Sequence, residues 1–402
     1  MRKIGFISLF SGAGGLDIGL EDSGFSCLYA ADIDAAAHAT LIENKRRNST
    51  HLQDAVVERA DVSRTTGKEI LDRIGCERGQ VPLLVGGPPC QSWSSAGHQK
   101  GWLDPRGQLF DDFVRLASEL DVRWLLFENV RGLLTARGPD GVPGSALALI
   151  RTKLLKAGFQ TQVALLNAAD YGVPQRRVRL VVFGYRIGDE MAFPDPTHCK
   201  AGTVTPWMPM NAALLAANML AEDEIIRPNE KLGAQLSALK PGTGVKSPGK
   251  AEATRPGGHW GYKQGAFIAD TRLPARTVTA NQQQDWIIDP EIGIRRLCPR
   301  ECAALQTFPP EWIFLGKRTD QYRLIGNAVP PRLAQKIGQV LHAHILRSWD
   351  DRRIEPVKLA PLASKLEAAI NYTAKEEWRN GASRRAAPDR RRRAAVGTAF
   401  AG

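Results

Sequence analysis

The chain opens with an apolar run, KIGFISL (3–9), that ends in a glycine-rich turn. Comparable runs recur as SCLYAAD (26–32), VPLLVGG (81–87), RWLLFEN (123–129), QTQVALL (160–166) and VRLVVFG (178–184). Each reads as a strand, and a further strand is expected just ahead of Asp61. Helical patterns at 34–46, 107–120 and 145–157 lie between them. Strands that alternate with helices predict right-handed crossovers and a mostly parallel sheet covered on both faces. The fold class is therefore α/β, doubly wound and Rossmann-like.

After about residue 186 the periodicity fades. Residues 193–265 are rich in Pro, Gly, Lys and Ser, as in LKPGTGVKSPGK and TRPGGHWGYKQG, and read as a smaller loop-rich module. A helix returns at PRECAALQTF, followed by the turn GNAVPP (326–331) and an amphipathic helix from about 332 to 347 that should pack back on the first domain. Four segments follow: a main domain at 1–185, the loop-rich domain at 186–285, a return to the main domain at 286–348, and a basic, disordered tail at 349–402.

Composition narrows the class. At 402 residues, 43% hydrophobic and 24% charged, the chain can bury a full core. No stretch approaches the ~20 apolar residues of a membrane helix, and the early glycines break any signal-peptide pattern. A soluble, cytoplasmic protein without membrane association is expected. The six cysteines are scattered without a Cys-x-x-Cys pair, so neither a disulfide framework nor a zinc site is implied. Cys298 and Cys302, one helical turn apart, are expected in the core. The formal charge of +12 suits a polyanionic partner, but half of it sits from Arg379 onward, where seven arginines face one aspartate. Charge alone points to nucleic acid only weakly.

Candidate chemistry clusters at the ends of the strands. FSGAGGL (10–16) follows the first strand, and its glycines let backbone approach a ligand closely. Asp32 ends the second strand, where a carboxylate can meet a ribose hydroxyl, and Asp61 follows the third. The turn lacks the full Gly-x-Gly-x-x-Gly spacing, so it also reads as a plain strand-helix turn. GGPPCQSWSSAG (86–97) places Cys90 at the carboxyl end of a buried strand behind two prolines that restrict it. An isolated cysteine is by default structural, and a reactive one needs help to ionise. Glu128, in ENV (128–130), ends another strand, where it would serve a shared site or cap a helix. In QRRVR (175–179), Arg177 and Arg179 are two apart and expected on one face of a strand, converging on one anion or carbonyl.

Taken in order, these segments resemble the bacterial-type cytosine-5 DNA methyltransferases. FSGAGGL is similar to that family's cofactor loop and GGPPCQSWSSAG to its Pro-Cys loop. ENV, QRRVR, RRLCPRECAALQTFP (from Arg295) and GNAVPP follow in the family's order, and LPARTVTA (273–280) resembles the end of its target-recognition region. The match covers roughly residues 3–346, with about 186–272 matching only in position. Small departures exist: Trp93 for a common phenylalanine, Asp32 for glutamate, Cys298 for threonine and Ala328 for serine.

The resemblance implies an S-adenosylmethionine-dependent enzyme that methylates carbon 5 of cytosine in a specific duplex DNA sequence. Cys90 would be the nucleophile on a flipped-out base, Glu128 would hold the N3 and amino edge, and Arg179, with Arg177 and Gln175, would contact the ring carbonyl and adjoining groups. Phe10, Gly12, Gly14, Gly15, Leu16, Asp32, Ile33, Asp61, Val62, Pro88, Leu109, Asn327 and Val329 would form the cofactor pocket. No metal is implied. His259, Trp260 and Lys263 are candidates for DNA contact, and the loop from Gln91 to Pro105 for closure over the base. A monomer is expected, bacterial or phage-encoded and nucleoid-associated, with a restriction endonuclease as functional partner. Three other readings stand beside it: the same chemistry on transfer RNA, a nicotinamide-dependent dehydrogenase, and a non-enzymatic DNA-binding protein.

Overall fold

A computed structural model describes residues 3–47, 50–89, 105–200, 204–250, 264–355 and 358–386. The first half alternates as the apolar pattern predicts. In chain order it runs β1 (Ile4–Leu9), α1 (Gly15–Glu21), β2 (Phe25–Asp32), α2 (Ala35–Arg46), β3 (Val56–Arg59), α3 (Gly67–Ile74), β4 (Leu83–Gly86), α4 (Pro105–Glu119), β5 (Trp124–Val130), α5 (Ser145–Lys156), β6 (Gln160–Asn167) and β7 (Val178–Tyr185). These seven strands form one sheet in the order β3-β2-β1-β4-β5-β7-β6. The first five pair in parallel, and β7 runs antiparallel to both β5 and β6. Two apolar cores, one on each face, bury Phe6, Val85 and Phe183 on one side and Ile7, Leu84 and Val182 on the other. That alternation along single strands is why each reads as a continuous apolar run: a parallel sheet covered on both faces has no wet side.

The loop-rich region carries little regular structure. It holds a two-residue pair, β8 (His198–Cys199) with β9 (Thr205–Pro206), and the short helix α6 (Glu230–Ser237). A second small sheet follows, built from β10 (Thr243–Gly244), β11 (Phe267–Ile268), β12 (Trp286–Asp289) and β13 (Gly293–Arg296). Leu236, Ile268 and Trp286 make its own modest core. Inside it, the fully buried Arg295 is clamped at 2.8 Å to both Asp289 and Glu301.

The chain then returns through α7 (Pro299–Leu305), α8 (Arg318–Asn327) and α9 (Pro331–Arg347). Cys298 and Cys302 are buried there, as the sequence led us to expect. Helix α9 lies so close along α1 that a Cβ at Gly19 would sit 2.3 Å from the Pro331 carbonyl. The expectation of a disordered tail from 349 needs correction. A last helix, α10 (Ser364–Ala386), forms, and Leu362, Leu366, Ala369 and Ile370 pack against the second core. Apolar positions at helical spacing supply an anchor that the charge-rich composition masks. Among the described residues no helix is long and apolar enough to cross a membrane.

Candidate active site

A cavity of about 310 Å³ opens along the edge where β2, β1, β4 and β5 end. Its floor begins at the turn after β1. Phe10 takes a left-handed conformation (φ 58°), costly for a side chain of that size, and Gly12 follows with φ 56°. The loop is held by Asp32, whose carboxylate accepts the Gly12 amide at 2.8 Å and the Asp34 amide at 2.9 Å. Burial raises the Asp32 carboxyl above its ordinary value, opposed by those two hydrogen bonds. Leu16, Ile33, Val62 and Leu109 add apolar wall, and Ile33 stands 60% exposed, an apolar side chain presented to the open space. Asp61 lines the same end; the Ser63 hydroxyl and amide bind its carboxylate and hold it below the ordinary range.

Two glycines divide their work. Gly15 lines the cavity, and a Cβ there would lie 2.2 Å from the Val329 carbonyl. That contact brings the GNAVPP turn against the loop, so Asn327, Ala328 and Val329 form a wall. Gly14, expected in the pocket, does not line it. It packs instead against Leu41 and Trp312, while the Trp312 indole donates to the Ala13 carbonyl at 3.1 Å. Its left-handed backbone (φ 81°) shapes the turn rather than touching the cavity. The sequence reading also missed Arg323, which lines the cavity and pairs with Asp34 at 2.8 Å. Nearly three hundred residues separate that pair, and no local spacing signals it.

At the other end the cavity meets an acid and a base side by side. Strands β5 and β7 are antiparallel with Val130 opposite Arg179, so the end of one meets the start of the other. Arg179 Nε thereby lies 2.7 Å from Glu128 Oε1, both side chains nearly buried. Burial pushes the Glu128 carboxyl up, while the charges of Arg179 and Arg177 pull it back. The missing Cβ of Gly87 makes room, since one there would sit 2.9 Å from Glu128 Oε2. Beside it, the Asn129 amide donates to the Pro88 carbonyl at 3.2 Å, and both Pro88 and Pro89 line the cavity. The next residue, Cys90, lies outside the described residues, as do Gln91 to Asp104, His259, Trp260 and Lys263.

Gln175 and Arg177 are not with Arg179. Strand β7 begins only at Val178, so the alternation that would align Arg177 with Arg179 does not reach it. Arg177 is fully buried and donates to the Val278 carbonyl at 3.0 Å and the Gly326 carbonyl at 2.7 Å. Gln175 accepts the Val278 amide at 2.8 Å and donates to Gln306 at 2.9 Å. Both tie the end of the loop-rich region and the GNAVPP turn to the sheet. They touch the cavity's supports, not the cavity.

The family model for C-5 cytosine-specific DNA methylases matches residues 4–343. The chain belongs to this family. It is a DNA cytosine-5 methyltransferase, and its methyl donor is S-adenosylmethionine. Among curated relatives of this methylase, Type II methyltransferase M1.HphI of Haemophilus parahaemolyticus is 32% identical over 342 residues, spanning 84% of this chain and 86% of its own. M.FnuDI of Fusobacterium nucleatum is 30% identical, spanning 83% and 92%. Of solved structures, an E. coli prophage-encoded protein named as a DNA modification methyltransferase superposes with TM-score 0.62 at 21% identity, over 86% of this chain and all of its own. Spodoptera frugiperda DNMT2 gives 0.58 at 17%, over 84% and 99%. These structures share the fold of the methylase. The cavity suits the donor: carboxylates and an exposed isoleucine at one end fit a nucleoside, and Asp32, Asp34, Asp61 and Glu128 against Arg179 and Arg323 leave a lining with more carboxylates than arginines, which fits a cation. A nicotinamide dehydrogenase or a non-enzymatic binder is set aside by the family match.

Proposed function

We propose that this methylase works through a covalent Cys90 adduct on a cytosine flipped out of the duplex. The buried Glu128–Arg179 pair carries the reading, at the cavity end where Pro88 and Pro89 lead the chain into Cys90. The Cys90 thiolate bonds to carbon 6, and the electron pair displaced to carbon 5 makes that carbon nucleophilic. Bound in the cavity, S-adenosylmethionine supplies an electrophilic methyl group on a sulfonium. Carbon 5 takes the methyl; loss of its proton and β-elimination then break the carbon 6–sulfur bond and restore the thiolate. Glu128, whose carboxyl burial pushes up against the pull of Arg179 and Arg177, hydrogen-bonds N3 and the amino edge as positive charge develops on the ring. Arg179 keeps Glu128 in place and reaches the ring carbonyl.

Within the donor pocket, Phe10, Gly12, Gly15 and Leu16 supply backbone and wall, and Asp32 meets the ribose with the acceptor sites left beside its two amide bonds. Ile33, Asp61 and Val62 hold the adenine, while Pro88, Leu109, Asn327 and Val329 close the sides. Gly14, Gln175 and Arg177 act as positioning residues. The 186–285 segment reads base edges in the major groove, where the four base pairs are distinguishable. Extrusion of the base costs a few kcal/mol, recovered by contacts in the pocket. The protein acts as a cytoplasmic monomer at the nucleoid, and the Type II names of its relatives favour a partner restriction endonuclease.

Incubation with a duplex carrying 5-fluorocytosine and the methyl donor tests this directly. A covalent protein–DNA adduct through Cys90, lost in Cys90→Ser, is expected; absence of the adduct overturns the mechanism. Transfer RNA offered beside duplex DNA should remain unmethylated.

A further inference from the structure

One buried charge beside the cavity has no part in that mechanism. Asp17 lies on α1 directly after Leu16, is 0% exposed, and neither carboxylate oxygen has a hydrogen-bond partner of good geometry. The polar group that reaches toward it is the Ser8 hydroxyl on β1. Ser8 accepts from the Ser11 hydroxyl at 2.9 Å. Ser8, Ser11 and Leu16 all line the cavity, so two hydroxyls stand between the buried carboxyl and the cavity.

The charges that act on Asp17 are both negative: Glu21 one turn along α1 and Asp32 at the end of β2. Cys27 on β2 feels its field. From α9, the groups that crowd Gly19 and Leu20 are Pro331, Ala334, Gln335 and Gly338, none of them charged, and the titratable His342 sits against Gly24 and Phe25 beyond the end of α1. Burial, opposed by Ser8 and reinforced by Glu21 and Asp32, raises the Asp17 carboxyl to about 7. An unpaired buried carboxylate is costly unless a cation compensates it. Among the described residues no side chain fills that role, and the cavity's own ligand is a cation.

We propose that Asp17 is a specificity-determining charge that, when ionised, favours the cationic sulfonium donor over the neutral thioether product left after methyl transfer. The inference rests on reading the cavity as the donor pocket. It acts through the field and the Ser8–Ser11 hydroxyls, without contact, so Asp17 is a positioning residue by the same standard as Arg177. Methyl transfer removes the positive charge, Asp17 takes up a proton from solvent, and the product loses its electrostatic hold.

The test is calorimetric titration of the full chain with S-adenosylmethionine and with S-adenosylhomocysteine, without DNA, from about pH 6 to pH 8.5. The α-carboxylate is common to both ligands and cancels in the ratio of their Kd values, while the α-amino group, more acidic in the donor because of the sulfonium, is divided out with each ligand's own titration curve. The preference for the donor should rise roughly three- to tenfold as the pH passes about 7. Asp17→Asn should hold the low-pH ratio throughout, and Ser8→Ala should move the rise to higher pH. A wild-type ratio that stays flat, or an Asp17→Asn ratio that still rises, overturns the proposal. The wild-type profile decides the matter even if a variant fails to fold. Failure to bind either ligand at any pH would instead overturn the reading of the cavity itself.

Discussion

Arg179 and Glu128 are brought together by strand direction: Arg179 Nε sits 2.7 Å from Glu128 Oε1 because β7 runs antiparallel to β5 and starts where β5 ends. A parallel β7 would have placed its first residues at the opposite edge. Glu128→Gln keeps the side-chain shape and removes the charge and the titrating proton. Methyl transfer to duplex DNA should fall by about 10²–10³ or more, with donor affinity within a few-fold and the fold intact by circular dichroism. Arg179→Ala should act differently, since it strips a charge that pulls the Glu128 carboxyl down. It leaves a buried carboxylate without its partner, so stability as well as rate should drop, by about 3 kcal/mol in urea titration. Unchanged kinetics in Glu128→Gln would remove it from the reaction.

Arg177 holds two backbone carbonyls from distant parts of the chain, Val278 and Gly326. Hydrogen bonds to a buried charged donor are worth about 1.5–3 kcal/mol each. Arg177→Ala should therefore cost about 3 kcal/mol or more of stability, and Arg177→Lys should recover little, because one ammonium cannot span both carbonyls. Urea midpoints for the three proteins check this. A fully stable Arg177→Ala that lacks activity would instead restore a direct role in the reaction.

The main sheet was legible because apolar runs of strand length, separated by amphipathic helices, permit few other folds. The strand-end residues Asp32 and Glu128 were legible for the same reason: an acid after a buried run stands out. Arg177 was misplaced because alternation was carried one residue past the start of β7. Arg323 was missed because its partner Asp34 is close only in the fold. Helix α3 has a capping box at Thr66 and Glu69, a readable signal that the apolar pattern overshadowed. Nothing in the local sequence singles out Asp17; only the structure shows that both faces of α1 are covered.

The stability of the protein should carry the mark of Asp17. Its carboxyl is raised in the folded chain from an ordinary 3.8 to about 7. Below about pH 4 both folded and unfolded chains hold the proton, and burial exacts no ionisation cost. As pH rises toward 7 the unfolded chain releases its proton first, so folding stability contributed by this group declines and is lost above about 7. The full loss amounts to roughly 4 kcal/mol. Asp17→Asn should thus stabilise the protein by up to that amount at pH 8 and by little at pH 4, read from urea unfolding at each pH. A gain that is independent of pH would show that packing, not ionisation, is responsible.

Helix α10 lies beyond the residues matched by the family model, yet it is fastened to the catalytic edge. Leu366 is buried in the second core, Ile370 closes over Gly144 ahead of α5, and Arg151 on α5 donates to the Ala360 carbonyl. The same helix packs on the 3₁₀ turn Arg131–Thr135, which directly follows Glu128, Asn129 and Val130. Removing an anchor should loosen that turn before it unfolds the sheet. Leu366→Ala should cost about 2–3 kcal/mol, the usual penalty for a buried leucine. Hydrogen exchange should quicken first in Arg131–Thr135 and in α10, while β1 and β4 remain protected. Truncation after residue 386, which keeps the anchor and removes the arginine run, should leave unfolding unchanged. If Leu366→Ala leaves exchange in Arg131–Thr135 at its wild-type rate, α10 is an ornament on the surface rather than a brace for the strand that carries Glu128.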